Sequence, residues 1–200
     1  MVPTREQAEA LLAEALPHNP GPWGTHSRLT AQCAETIAAA CGMDPERAYV
    51  LALLHDIGRR FGKGHLRHVY DGWQYLLGLG WEENAKICLT HSFVRKKPED
   101  YVGRNDLSAE EYAALCRALE QTDYTDEDRL VQLCDALAGG DRILPIEERM
   151  ADVKRRYGAY PQEKWEANLA LKAGFERRMG RSLEELWKEG TEHESVGPAL

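Results

Sequence analysis

Apolar residues along the chain recur at the three-to-four-residue spacing of amphipathic helices and almost nowhere alternate as a strand would. Residues 3–16 place Ala8, Leu11, Leu12, Ala15 and Leu16 on one face, with Pro3 near the first turn. The stretch from Pro17 to Gly24, dense in Pro and Gly, predicts a rigid loop. A second helix over about Thr25–Cys41 ends at Gly42, a natural left-handed cap. The third has the clearest start: Asp44 as N-cap, Pro45 at the first helical position, and an apolar run from Ala48 to Leu54 that predicts a helix reaching Gly58. After a Gly-containing loop over Arg59–Arg67, helical patterns resume at about His65–Leu79 and Glu82–Ser92. Phe93–Leu107, with Pro98 and Gly103, reads as irregular. Ser108 with Glu111, and Thr125 with Asp128, form capping boxes for two further helices, the second stopping at Gly139-Gly140. Ile146–Tyr157, Glu163–Met179 and Leu183–Lys188 complete the set. The expected architecture is all-α, a bundle of about eight to ten helices. One domain is expected over 1–190, with the informative motifs in 22–138, a helical extension over 145–190 and a loosely held polar tail over 191–200.

Composition narrows the class. A chain of 200 residues buries roughly 70% of its unfolded surface without staples. Its 43% hydrophobic and 29% charged residues exclude disorder. Lys and Arg number 25 against 33 Asp and Glu, a net charge of −8 that argues against duplex nucleic acid as a partner and leaves room for a local basic pocket. The run from Ala48 to Leu54 is the longest purely apolar one, far short of the ~20 residues of a membrane span, and the N-terminus has no secretory apolar region. Five cysteines without CxxC spacing predict reduced, buried thiols and a cytoplasmic protein.

The chemistry sits at helix ends. His55 and Asp56 close an apolar half-helix, where two polar side chains are costly unless something satisfies them. A divalent metal does so economically: imidazole nitrogen and carboxylate oxygen are both good ligands, and helical neighbours about 100° apart can both reach one ion. His26 on the preceding helix adds a further donor. So does Asp135, flanked by Leu133, Cys134, Ala136 and Leu137. A capped or salt-bridged structural pair is the alternative for His55-Asp56.

The ordered set His26, His55-Asp56 and Asp135, with the fragment Leu53-Leu54-His55-Asp56-Ile57-Gly58-Arg59, resembles the H…HD…D signature of the HD-domain metal-dependent phosphohydrolase superfamily. Arg59 stands where Lys is usual. The resemblance implies that His26, His55, Asp56 and Asp135 bind one metal ion. It also implies, from the H-x-x-x-G pattern at His68–Gly72 and the helix ending in His91-Ser92, that His68 and His91 serve a second ion with Asp56 as the bridge. His65 is an alternative to His68. Mixed His and carboxylate ligation suits Fe, Mn, Co, Ni or Zn.

By the same resemblance the expected activity is phosphohydrolysis by an activated hydroxide on a phosphate ester or anhydride, the substrate a small phosphorylated molecule such as a nucleotide or dinucleoside polyphosphate. Asp56, Arg59 and Lys63 are the expected catalytic residues. Arg59, Arg60, Lys63, Arg95 and Lys96 are the expected substrate-binding cations, matched to phosphate by charge and, for Arg, by a two-pronged donor geometry; solvated loop charges are the alternative for Arg60, Lys63, Arg95 and Lys96. Arg104 and Arg142 are lesser candidates for the same role. Trp23, Phe61, Tyr70, Trp73, Phe93 and Tyr101 flank the motifs as possible stacking partners or core, and Asp71 and Asp141 as possible proton carriers. The chain lacks the DGxGYP run of the cyclic-dinucleotide-degrading branch, and the adjacent Glu-Asp pair of the alarmone hydrolases. Two other classes remain open: a non-catalytic nucleotide-binding or interaction domain, and a di-iron oxidative enzyme on the same scaffold.

Overall fold

A computed structural model describes residues 1–194, and among them it has ten α-helices and no strand. They are α1 (Arg5–Ala15), α2 (Trp23–Ala40), α3 (Pro45–Leu53), α4 (Arg67–Gly78), α5 (Glu82–Thr90), α6 (Ala109–Gln121), α7 (Asp126–Leu137), α8 (Ile146–Tyr157), α9 (Gln162–Met179) and α10 (Leu183–Glu194). The starts follow local chemistry. Asp44 caps α3 by accepting from the Arg47 N–H, and the boxes Ser108/Glu111 and Thr125/Asp128 close as the spacing requires. The helix α10 runs on past Lys188, so the expected tail begins later than residue 191; positions 195–200 of that tail lie outside the described residues. No helix among the described residues is long and apolar enough to cross a membrane.

One boundary matters for function. The helix α3 stops at Leu53, not at Gly58, and His55-Asp56 sit in a turn. There the His55, Ile57 and Arg59 N–H groups donate to the carbonyls of Ala52, Leu54 and Asp56, and a short 3-10 helix follows over Ile57–Phe61. Donors from α5 make this possible. Asn84 Nδ2 donates to the Val50 carbonyl at 2.9 Å, and the Cys88 thiol donates to the Leu54 carbonyl at 3.2 Å. Carbonyls that a longer helix would satisfy from within are satisfied from α5.

Two apolar clusters hold the bundle. The larger joins α2, α3 and α7 through Ile37, Leu51, Leu53, Leu54, Ile57, Leu130 and Leu133, all essentially without solvent contact, and Met150 of α8 and Phe175 of α9 pack into it. The smaller, of Leu66, Val69, Leu89, Phe93, Leu115 and Leu119, joins α4, α5 and α6. Each such side chain contributes about 1.5–3 kcal/mol on burial. The His55-Asp56 turn is seated on α4 by two glycines. A Cβ on Gly58 would lie 2.0 Å from the His68 carbonyl oxygen and 2.5 Å from the Gly72 nitrogen, so the H-x-x-x-G spacing of α4 serves backbone contact.

Candidate metal centre

Four imidazoles share one orientation. His55 Nδ1 donates to the Ala52 carbonyl at 2.7 Å, His91 Nδ1 to Cys88 at 2.8 Å, His26 Nδ1 to Gly139 at 3.1 Å, and His68 Nδ1 to His65. A carbonyl only accepts, so each Nδ1 carries a proton and Nε2 is the ring atom turned inward; at His26, where Nε2 meets Asp135 Oδ1 at 3.0 Å, that nitrogen also carries a proton when no cation lies between them. These four nitrogens meet two carboxylates. His26, His55 and Asp135 form one triad of donor atoms within 4.8 Å of one another, and Asp56, His68 and His91 form another.

The triads touch through the turn. Asp56 Oδ1 lies 3.1 Å from His68 Nε2 and 3.7 Å from His91 Nε2, while its Oδ2 lies 3.9 Å from His55 Nε2. His55 and Asp56 were expected side by side on a helix; they sit in a turn, where Asp56 borders both triads and keeps its Oδ2 3.9 Å from His55 Nε2. His65 supplies its carbonyl to His68, not its ring to a triad.

The electrostatics fit a cation. His55 Nε2 and Asp56 Oδ1 are buried and have no hydrogen-bond partner. His68 and His91 face each other with Nε2 atoms 3.4 Å apart, two lone pairs that only a proton or a metal reconciles. Burial would raise the Asp56 carboxyl, but Arg59, His68 and His55 outweigh it and hold it well below the usual range. Asp135 is likewise held low, its hydrogen bond from His26 at 3.0 Å overcoming burial. Burial, reinforced by His55, pushes His91 down to about 3, so it stays a neutral ligand. Mixed nitrogen and oxygen donors in this number fit one or two transition-metal ions, with the backbone carbonyls behind the rings fixing their orientation.

The centre opens into a cavity of about 1050 Å³. Arg59 and Lys63 line it, and Arg59 Nε donates to Asp56 Oδ2 at 2.5 Å. Trp23, Tyr101, Asp141 and Arg142 are also on its walls. Three expected substrate cations are not. Arg60 turns to the Tyr75 hydroxyl and Glu14, Arg95 pairs with Asp100 and Glu163, and Lys96 lies near Asp123 over the Tyr124 ring. Each found a protein partner that its position beside a motif does not reveal. Of the flanking aromatics, Phe93 is core, Tyr70 and Trp73 pack against that core, and exposed Phe61 stands edge-on to Tyr75. Asp71 pairs with Arg67 and Arg104 approaches His65, both outside the cavity wall.

The cavity also recruits residues beyond the motifs: Arg149 of α8, and Tyr160, Lys164 and Asn168 at and on α9. Lys164 donates to the carbonyls of Ser92 at 3.0 Å and Asp100 at 3.2 Å, and burial pushes its ammonium down to about 8 against the pull of Asp135 and Asp100. A trace of this was present in the sequence: Lys164 and Asn168 share a helical face with Leu171 and Phe175, a polar interruption of an apolar stripe.

The sequence model of the HD domain family matches residues 23–140. Among solved structures, the HD domain of the L. monocytogenes phosphodiesterase PgpH is similar, with a TM-score of 0.50 at 18% identity over 80% of this chain and 94% of that one. No curated protein sequence matches the chain.

Proposed function

The chain belongs to the HD-domain family, and from that premise we propose that it is a cytoplasmic metal-dependent phosphohydrolase acting on a phosphate ester or anhydride of a nucleotide or dinucleoside polyphosphate. One observation carries the reading: four imidazoles with Nδ1 committed to backbone carbonyls turn their Nε2 atoms toward two carboxylates, buried Asp56 and partly exposed Asp135. The structural neighbour is itself a phosphodiesterase, which suits the reading. Five free cysteines support a reducing compartment.

His26, His55 and Asp135 would hold one ion, His68 and His91 a second, with Asp56 between them. When bound, such ions supply a hydroxide near neutral pH and polarise the phosphoryl oxygens. The protein does the rest. Arg59 keeps Asp56 ionised and oriented while facing the cavity, and its guanidinium suits phosphate. Lys63 adds charge at the same wall. The cavity is the size of a nucleotide site, and Trp23 and Tyr101 give it aromatic surface.

Elemental analysis of anaerobically purified protein, paired with Asp56→Ala and with phosphate release from p-nitrophenyl phosphate and nucleotides, tests this. About two transition-metal ions per chain, lost with activity in Asp56→Ala, are expected. Protein that takes up no Mn, Fe, Co, Ni or Zn overturns the reading.

A further inference from the structure

The part of the cavity wall that α8 and α9 supply carries cations that the protein leaves short of partners. Arg149 Nε donates to the Ala138 carbonyl at 2.6 Å, but its Nη1 is buried with no hydrogen-bond partner. The nearest carboxylate oxygen in ion-pair contact, Asp152 Oδ2, is 3.8 Å from Nη1, and Asp152 already takes Arg155 at 2.6 Å and Arg156 at 2.9 Å. Three guanidinium groups on one carboxylate leave a surplus of positive charge. Lys164 is more deeply buried, and its two described hydrogen bonds go to neutral carbonyls. A chain of net charge −8 has here gathered cations that its carboxylates offset only loosely: Asp152 stands 3.8 Å from Arg149 Nη1, and Asp100 and Asp135 act on Lys164 without taking its described hydrogen bonds. A buried cation without a hydrogen-bonded anion is costly, and the anion that enters the cavity is the natural partner.

Both cations are anchored beside the metal donors. The Ala138 carbonyl holds Arg149, and the next carbonyl, Gly139, holds the His26 ring. Lys164 is held by the Ser92 carbonyl, one residue beyond His91. Arg59 attaches to Asp56, in the other triad from His26. Positive charge is therefore fixed beside both triads, more than one phosphoryl group requires.

We propose that Arg149 and Lys164 form a second anion subsite in this cavity, which holds the phosphate adjoining the one that reacts, so that the preferred substrates are phosphoanhydrides and not monoesters. The proposal rests on the phosphohydrolase reading. In anhydride hydrolysis the water oxygen bonds to phosphorus, the bond to the bridging oxygen breaks, and that oxygen leaves with the electron pair. The water proton passes to solvent. Arg149 and Lys164 stand where the departing phosphate gathers charge.

Titration calorimetry of the full chain with methylenediphosphonate and with methylphosphonate tests the subsite without turnover. Wild type should bind the diphosphonate at least about tenfold tighter, and Arg149→Gln and Lys164→Met should each cut that ratio roughly five- to tenfold while methylphosphonate moves less than about twofold. Arg149→Lys, which keeps the charge, should fall between. Equal affinities in wild type, or an unchanged ratio in both variants, overturns the proposal. If the variants unfold, wild type decides: diphosphonate binding must weaken more steeply with salt, and parallel slopes overturn it. Phosphate release from esters with an unchanged ratio would sink the subsite alone. A variant-sensitive ratio with no hydrolysis of any ester or anhydride would sink the hydrolytic reading and leave the subsite standing.

Discussion

The two triads use the same donors, two imidazoles and one carboxylate, yet they meet solvent differently. In the first, His26 and Asp135 keep 12% and 28% of their side-chain surface exposed while His55 keeps none; in the second, Asp56, His68 and His91 keep 4% or less. The open triad hangs on α2, α3 and α7 in the larger core, and its carboxylate is already bonded to His26. The closed triad draws His68 and His91 from α4 and the end of α5, which the smaller core clamps, and its carboxylate is bonded to Arg59. Of two residues adjacent in this turn, His55 turns to the first triad, while Asp56 turns Oδ1 to the second and keeps Oδ2 3.9 Å from His55 Nε2. The lesson is one of degree: Asp56, His68 and His91 line the cavity as His26 and Asp135 do, but show far less of their surface to it.

Removing one ligand from each half gives the largest effects. His26→Ala and His91→Ala should each lower kcat/KM by at least about a hundredfold, at or beyond the loss seen when a partner behind a metal ligand is removed. They should differ in what metal remains. His26→Ala keeps about one ion in the closed half that resists a chelator, whereas His91→Ala keeps about one in the open half that a chelator strips readily. Elemental analysis before and after dialysis against EDTA reads this directly. The reverse order of retention would break the comparison.

Gly58→Ala attacks the joint between the halves. Its Cβ meets the His68 carbonyl and the Gly72 nitrogen, backbone atoms that cannot swing aside as a side chain does. The turn must lift off α4, at about 2–3 kcal/mol, the usual range for overpacking. Tm should fall by roughly 5–10 °C. Because α4 carries His68 and the open triad has no ligand there, metal should be lost first from the closed half. An unchanged Tm would mean that the close approach is not what seats the turn.

Much of this was legible along the chain, and the failures have a common cause. Local rules sufficed for the starts of α3, α6 and α7, because an N-cap and its partners lie within four residues. His26, His55, Asp56 and Asp135 were legible as an ordered set, as was His68 with Gly72. The end of α3 was not. Nothing between Ala48 and Ile57 breaks a helix, and what ends it is Asn84 and Cys88 on α5, whose bonds to Val50 and Leu54 no local window contains. The basic residues misled for the same reason. Arg95 next to a motif looked available until Glu163, far along the chain, proved to be its partner, while Arg149 and Lys164 lay where no motif points.

Arg60 offers the smallest and most pointed test, because it neighbours Arg59 and has the opposite fate. Its guanidinium donates to the Tyr75 hydroxyl at 2.8 Å, pairs with Glu14 Oε2 at 2.8 Å and lies 4.7 Å from the Tyr75 ring centre. It ties the 3-10 turn to α1 and α4 outside the cavity, through a carboxylate that solvent screens. Arg60→Ala should therefore leave kcat/KM within about twofold and Tm within about 2 °C, as expected for a pair whose carboxylate solvent screens. Arg59→Ala, one residue earlier, removes the cation that holds Asp56 ionised and should cost at least about tenfold through a charged hydrogen bond. Steady-state kinetics on the two variants decides between them. Equal losses would mean that the turn, not the cavity, sets the role of both arginines, and the division between inside and outside would fail at its finest point.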